Sequence, residues 1–419
     1  MNYLPFVNPS ALTALSALNA AGYDAAVVGG CVRDLIMGKT PHDWDVTTSA
    51  TPDEALKVFS SYRCIETGID YGTITVLIDG VSIEITTFRR DFDYTAGRRP
   101  KLVSYSKLLT DDLSRRDFTV NALCLNRQGA FIDLFNGLED LNLKIIRAIG
   151  DADLRFNEDA LRILRAIRFS ACLGFTIEPK TAESMLKNKE RLSLLSAERI
   201  RSELCKIITA PHCERVLADW EELITYIIPE LRLDCLRYGT AVRLAAAAPA
   251  DEILRFALLF GGLGNDGSES AEIAGSVLKR LKFSNKAKDH ITKLIPLLSL
   301  PIPQDRLETR RLVAEHGEKT AEELLQLWQV IYSHSDKPIC EALARYEKLL
   351  KETSCEPSLY GVSSLNINGH DLITFGVSDG KLIGSILNRL HEEVIDEKLD
   401  NLPSSLLTRA KELLYENNR

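Results

Sequence analysis

Apolar and polar residues alternate over 71–88, YGTITVLIDGVSIEITTF, in two runs separated by Asp79-Gly80. Alternation marks half-buried strands, and a two-residue Asp-Gly link signals a tight hairpin. Ile78 opposite Val81 sets the register. Val76 then faces Ile83 and Ile74 faces Ile85 on an apolar side, leaving Thr75, Ser82, Glu84 and Thr86 on a polar one. From residue 157 the period changes, and NEDALRILRAIRFSACLGF reads as a helix. At about 100° per residue, Ala160, Ile163, Leu164 and Ile167 share one side, while Asp159, Arg162, Arg165 and Arg168 step around the other. SAERIRSELCKII continues the helical pattern, with Ser196 as its cap and apolar residues at 200, 204, 207 and 208. Strands and helices therefore mix over 1 to about 150 and helices dominate afterwards. The pattern predicts an α+β chain with soft boundaries near 150, 212 and 300.

At 419 residues the chain exceeds what a single core usually supports, so two to four domains are expected. The N-terminus lacks a basic, then apolar, leader pattern, and no run is long and apolar enough to span a membrane. A cytoplasmic protein is expected. Nine cysteines without any C-x-x-C pair favour reduced, buried thiols over disulfides or zinc. The net charge of −8 argues against an extensive basic nucleic-acid surface. Arginines nevertheless cluster over 88–101 and 144–168, and such local basic surfaces suit a polyanionic substrate.

The densest chemistry lies in VVGGCVRDLIMGKTPHDWDVTT, residues 27–48. On a strand, Asp43 and Asp45 would point the same way, with Trp44 turned into the packing. Two carboxylates on one face repel unless a divalent cation sits between them, and oxygen ligands of this kind suit magnesium. Gly29-Gly30 after AAVV permits a tight turn with amides offered to a phosphate, and Arg33 can grip the same anion. Glu84, on the polar face of its strand, can supply a third carboxylate. Together these describe a metal-dependent site for a nucleoside triphosphate.

GGCVRDLIMGKTPHDWDVTT resembles the signature of the class II tRNA nucleotidyltransferases, the CCA-adding enzymes and bacterial poly(A) polymerases of the DNA polymerase β-like superfamily. RRDFTVNAL (115–123), NEDALRILRAIRF (157–169) and AERIRSEL (197–204) resemble later motifs of that family, in family order. NINGHDLITFGVSDGKLIGSIL is similar to the tail of bacterial CCA-adding enzymes. The resemblance implies a nucleotidyltransferase head with a mixed sheet (1–150), then an all-α neck (151–212), body (213–300) and tail (301–419). It implies Asp43 and Asp45 as metal ligands, Gly30 and Arg33 on the triphosphate, Arg116 on the nucleotide, and Asp117 and Asn121 supporting the ribose. Asp159, Arg162, Arg165 and Arg168 would complete the pocket. Partners would be tRNA, at its acceptor stem and elbow, with CTP and ATP, and no membrane. The cofactor would be Mg²⁺, as a two-metal site.

Base chemistry suits the neck pair. Cytosine and adenine each present an amino donor beside a ring-nitrogen acceptor, and uracil and guanine reverse that order. Asp159 accepting from the amino group and Arg162 donating to the ring nitrogen would choose C and A without a template. The reaction would be an in-line attack of the RNA 3′-hydroxyl on the α-phosphorus, with pyrophosphate leaving. The basic segment between Phe88 and about Leu108, flexing at Gly97, would shift the pocket between cytosine and adenine. A poly(A) polymerase and a CC-adding enzyme are the nearest alternatives; the acidic composition speaks against the first and the full-length 88–108 segment against the second. His370-Asp371, which suggests a metal phosphohydrolase, reads as a helix start. Intact carboxylates at 43 and 45 argue against a catalytically silent RNA-binding module.

Overall fold

The computed structural model describes residues 3–94, 100–333, 336–353, 361–374, 377 and 379–417. Two compact units are present: residues 1–232 with 280–283, and residues 233–279 with 284–419. The expected boundaries near 150 and 212 thus fall inside the first unit, and the one near 300 inside the second.

The first unit begins with helix α1 (Pro9–Ala20), opened by Pro9 and capped by the Asn8 side chain, which accepts from Ser10 N at 2.8 Å. A mixed sheet follows, from β1 (Ala25–Val28), β2 (Trp44–Thr48), β3 (Arg63–Ile65), β4 (Thr73–Ile78) and β5 (Val81–Thr87). Later short strands β8 (Cys124–Leu125) and β9 (Phe131–Ile132) complete the order β3-β4-β5-β2-β1-β8-β9. The β2–β5 pair is parallel and the other pairs are antiparallel. The hairpin register agrees with the alternation, with Ile78 opposite Val81, Val76 opposite Ile83 and Ile74 opposite Ile85. Asp79 takes φ 48° and Gly80 φ 80°, the pair of positive values that a tight Asp-Gly turn requires.

Trp44, Val46, Ile83, Ile85, Val76 and Ile74 are buried, and α1 packs on β1, β2, β4 and β5 through Ala11, Ala14, Leu15 and Leu18. Each fully buried side chain of this kind stabilises by about 1.5–3 kcal/mol. Covering one face leaves the polar face of the same strands for chemistry. The segment after β5 forms an antiparallel ribbon, β6 (Arg89–Tyr94) with β7 (Pro100–Tyr105); Gly97, the expected hinge, lies outside the described residues.

The stretch expected to form one helix from 157 is broken. Helix α6 (Ala152–Glu158) ends at Asp159, whose φ −147° and ψ 104° are extended, and α7 (Leu161–Leu173) starts two residues later. The Asp159 side chain accepts from Leu161 N at 3.0 Å. A short aspartate satisfies an orphan amide best at a helix start, which explains the break. Helix α9 (Ala197–Ile208) packs on α7 and buries Ile200, Leu204, Ile207 and Ile208 as the periodicity predicts, although Ser196 makes no side-chain cap.

The second unit is helical, with a core that includes Trp328 against Tyr346 at 5.6 Å and a C-terminal cluster that includes Leu372, Leu390 and Leu406. His370 N is held by the Asn368 side chain at 2.8 Å, so His370-Asp371 is a helix start. Of the eight cysteines described, Cys31, Cys124 and Cys213 are buried while Cys172, Cys235 and Cys340 are exposed, so burial is less general than the sequence predicts. Among the described residues none is in a disulfide, and no helix is long and apolar enough to cross a membrane.

Candidate active site

A cleft of about 510 Å³ opens between the polar face of the head sheet and the start of α7. Asp45 on β2 and Glu84 on β5 are register partners on adjacent parallel strands, so their side chains leave the same face about 5 Å apart. Asp43 is placed differently from expectation. The strand starts at Trp44, so Asp43 sits in the preceding bend, exposed and outside the cleft lining. Its charge still reaches Asp45. Burial raises the Asp45 carboxyl to about 6; Arg116 opposes this, and Glu84 and Asp43 add to it. Among the described residues no three His, Cys, Asp or Glu side chains converge as a ready metal cage.

Helix α2 (Gly30–Ile36) starts beside this carboxylate. Gly29 has φ 88° and ψ −140°, a region that only glycine adopts without strain. A Cβ there would lie 3.3 Å from Arg116 Nη1 and 3.6 Å from Asp45 Oδ2. Arg33 is nearly buried: its Nε and Nη2 donate to Asp34 at 2.9 and 2.8 Å, and its Nη1 donates to Asn121 Oδ1 at 2.6 Å.

The Arg116 guanidinium depends on Asp112 in helix α4 (Leu109–Ser114). Asp112 is fully buried, accepting from Arg115 Nε at 2.9 Å, Arg116 Nη2 at 3.2 Å and Thr47 Oγ1 at 3.0 Å. Burial opposes its charge, but the two guanidiniums outweigh it and hold the carboxyl below the usual range. Asp117 is similar. Its Oδ1 accepts from Phe118 N and Asn121 Nδ2, and Oδ2 meets Arg165 Nε and Nη2 at 2.7 and 2.6 Å. Burial acts upward, yet Arg165 prevails and brings Asp117 down to about 2.

On the neck side Asp159 Oδ2 accepts from Arg199 Nη2 at 2.6 Å. Arg162 does not pair with Asp159: its Nη1 donates to Glu158 and its Nη2 to the Arg115 carbonyl, each at 2.7 Å. Phe169 lies beneath three guanidiniums, those of Arg33, Arg165 and Arg168, at 5.5, 5.3 and 4.4 Å from its centroid. Arg168 does not line the cleft; it turns to Glu203, 3.0 Å away. The cleft thus gathers Gly30, Arg33, Asp45, Glu84, Arg116, Asp117, Asn121, Asp159, Arg162 and Arg165, and leaves Asp43 and Arg168 outside its lining. Sequence reasoning passed over Asp112, Phe169 and Arg199. Phe169, the last residue of NEDALRILRAIRF, and Arg199, inside AERIRSEL, lay within motifs the sequence singles out, whereas Asp112 carried no such signal.

The arrangement joins a glycine turn beside Arg33, a carboxylate pair and a polar wall from α7 and α9. Residues 25–147 match the poly A polymerase head domain, residues 174–234 a probable RNA- and SrmB-binding site of polymerase A, and residues 267–410 a putative tRNA nucleotidyltransferase domain 2. The chain is 34% identical over 423 residues to the CCA-adding enzyme of Lactobacillus helveticus, covering 96% of each. The chain belongs to the CCA-adding enzymes. The CCA-adding enzyme of Streptococcus suis is likewise 34% identical, over 99% of each chain. The Bacillus stearothermophilus CCA-adding enzyme, solved in complex with CTP, superposes with a TM-score of 0.79 at 28% identity, over 98% of this chain and 99% of that one. The Thermotoga maritima CCA-adding enzyme, solved with tRNA, shares the fold with a TM-score of 0.63 at 21% identity, over 98% and 97%. The first two of these family models are named for poly(A) polymerases, and the CCA-adding relatives are matched over nearly the whole chain.

Proposed function

We propose that this chain adds C, C and A to the 3′ end of tRNA from CTP and ATP, releasing pyrophosphate, in the cytoplasm where tRNA is matured. The observation that carries this reading is the single cleft shared by the Asp45–Glu84 carboxylates, the Gly30–Arg33 cradle and the Asp159–Arg199 pair. An all-oxygen set, in which Asp45 is pushed to about 6 by burial and by neighbouring Glu84 and Asp43, suits Mg²⁺, which keeps waters and shares substrate phosphates rather than needing a full protein cage. Asp43 and Asp45 would hold the metal, with Glu84 beside them. Held there, the metal would supply activation of the RNA 3′-hydroxyl and neutralisation of the charge that develops on the triphosphate.

The chain's own residues do the rest. Gly30 and Arg33 hold the triphosphate. Asp117 and Asn121 support the ribose side by fixing Arg165 and Arg33, and Arg116, anchored on Asp112, faces the nucleotide. Arg199 holds Asp159 so that its carboxylate accepts from the amino group of cytosine or adenine, and Arg162 donates to the adjacent ring nitrogen. Asp159→Ala is expected to weaken the preference for CTP and ATP over UTP and GTP by about 1–3 kcal/mol, the scale of one bidentate base contact. Single-nucleotide incorporation assays measure this, and an unchanged preference in an active variant refutes the base-reading role. Residues 88–108 would shift the pocket between the C and A steps.

A further inference from the structure

An in-line displacement puts the attacking oxygen and the leaving pyrophosphate on opposite sides of the phosphorus. The strand order β4-β5-β2-β1 then divides the cleft. Gly29, Gly30 and Arg33 follow β1, on one side of Asp45, whereas Glu84 on β5 and the residues of β4 stand on the other. With the triphosphate over β1 and α2, the RNA terminus lies over β5 and β4.

Two hydroxyls occupy that side. Thr86 follows Glu84 by two residues on the same face of β5, about 7 Å further along the strand, and Thr73 is its cross-strand partner on β4. Both are half-buried and line the cleft, with their Oγ1 atoms 3.0 Å apart. The neighbouring Thr47 hydroxyl is fully buried and committed to Asp112 and the Thr86 carbonyl. In the Thr73–Thr86 pair one hydroxyl donates to the other, which leaves one O–H and several lone pairs for a third group. Among the described residues no other side chain bonds to either hydroxyl. Arg89, which donates to the Tyr71 carbonyl, lines the same end and brings a positive charge of the kind that accompanies RNA phosphates.

We propose that Thr73 and Thr86 hold the 2′-hydroxyl of the terminal ribose of the RNA being extended, with Arg89 beside its phosphate. A ribose 2′-hydroxyl both donates and accepts, which matches the paired threonines and distinguishes an RNA end from a DNA end. The inference rests on Asp45 and Glu84 being the catalytic carboxylates, and it extends that reading to the choice of acceptor.

The test compares tRNA lacking its 3′ end and terminated by ribose with the same tRNA terminated by 2′-deoxyribose, reading kcat/KM for addition of one cytidine. Wild type is expected to prefer the ribose end by about tenfold, the scale of one hydrogen bond. Thr73→Val and Thr86→Val are expected to shrink that preference to within about twofold by slowing the ribose end, with KM for CTP unchanged; Thr73→Ser, which keeps the hydroxyl, retains it. Equal slowing of both ends overturns the assignment. So does a loss of preference that appears with 2′-deoxy-CTP instead, which would give the hydroxyls to the incoming nucleotide. A wild-type chain that extends neither end overturns the functional reading itself, and this inference with it.

Discussion

Asp45→Asn is expected to abolish nucleotide addition while making the protein more stable at neutral pH. The two effects share one cause. Asp45 is held largely out of water next to Glu84 and Asp43, and its carboxyl is raised from 3.8 to about 6. Ionising it in the folded protein therefore costs about 2–3 kcal/mol relative to the unfolded chain. Because the folded value lies above the unfolded one, the group's favourable contribution is complete below pH 3.8 and is lost as pH rises through about 6. Asparagine carries no such cost. The gain in the variant should thus be small near pH 4, grow towards pH 6 and stay level above it, as read from thermal unfolding with a chelator present. Magnesium should stabilise the wild type and leave the variant unmoved. A variant that is less stable than wild type at pH 7.5, or one that keeps more than a few per cent of the activity, contradicts the assignment.

Asp112→Ala is expected to have the largest effect on stability, a loss of about 3–5 kcal/mol, because it strips the counter-charge from largely buried guanidiniums. Asp112 is fully buried, and Arg115 and Arg116 are 16% and 19% exposed. Arg116 would face the Asp45 carboxylate without its anchor, so activity should fall by at least tenfold at temperatures where the variant is folded. Unfolding of the variant within about 1 kcal/mol of wild type would show that the triad is solvated and carries little.

What the sequence made legible was local. The Asp79-Gly80 turn fixes the hairpin register, and that register alone puts Glu84 on the polar face, where β5 brings it beside Asp45. Gly29-Gly30 after an apolar run marked the tight approach of backbone to the site, and the structure gives Gly29 the conformation and the crowding that exclude a side chain. Pairing over long separations was not legible. Asp159 and Arg199 lie 40 residues apart, and nothing in either local pattern favours that partner over Arg162. Asp112 sits in a run of charges, DDLSRRD, that gives no local sign of burial, yet the turn of α4 buries it beneath two arginines. The single helix expected from 157 failed for a related reason: periodicity continues through Asp159, whereas capping chemistry decides where the backbone breaks. Asp43 fell outside the strand because alternation cannot mark a strand's first residue.

The most direct test of the account is to sequence the 3′ ends made when this protein is incubated with magnesium, all four nucleoside triphosphates and tRNA that lacks its 3′ end. The expected product is C-C-A on every extended molecule, with no further addition and no incorporated U or G. A tail of A alone, termination after C-C, or a mixed sequence would contradict it.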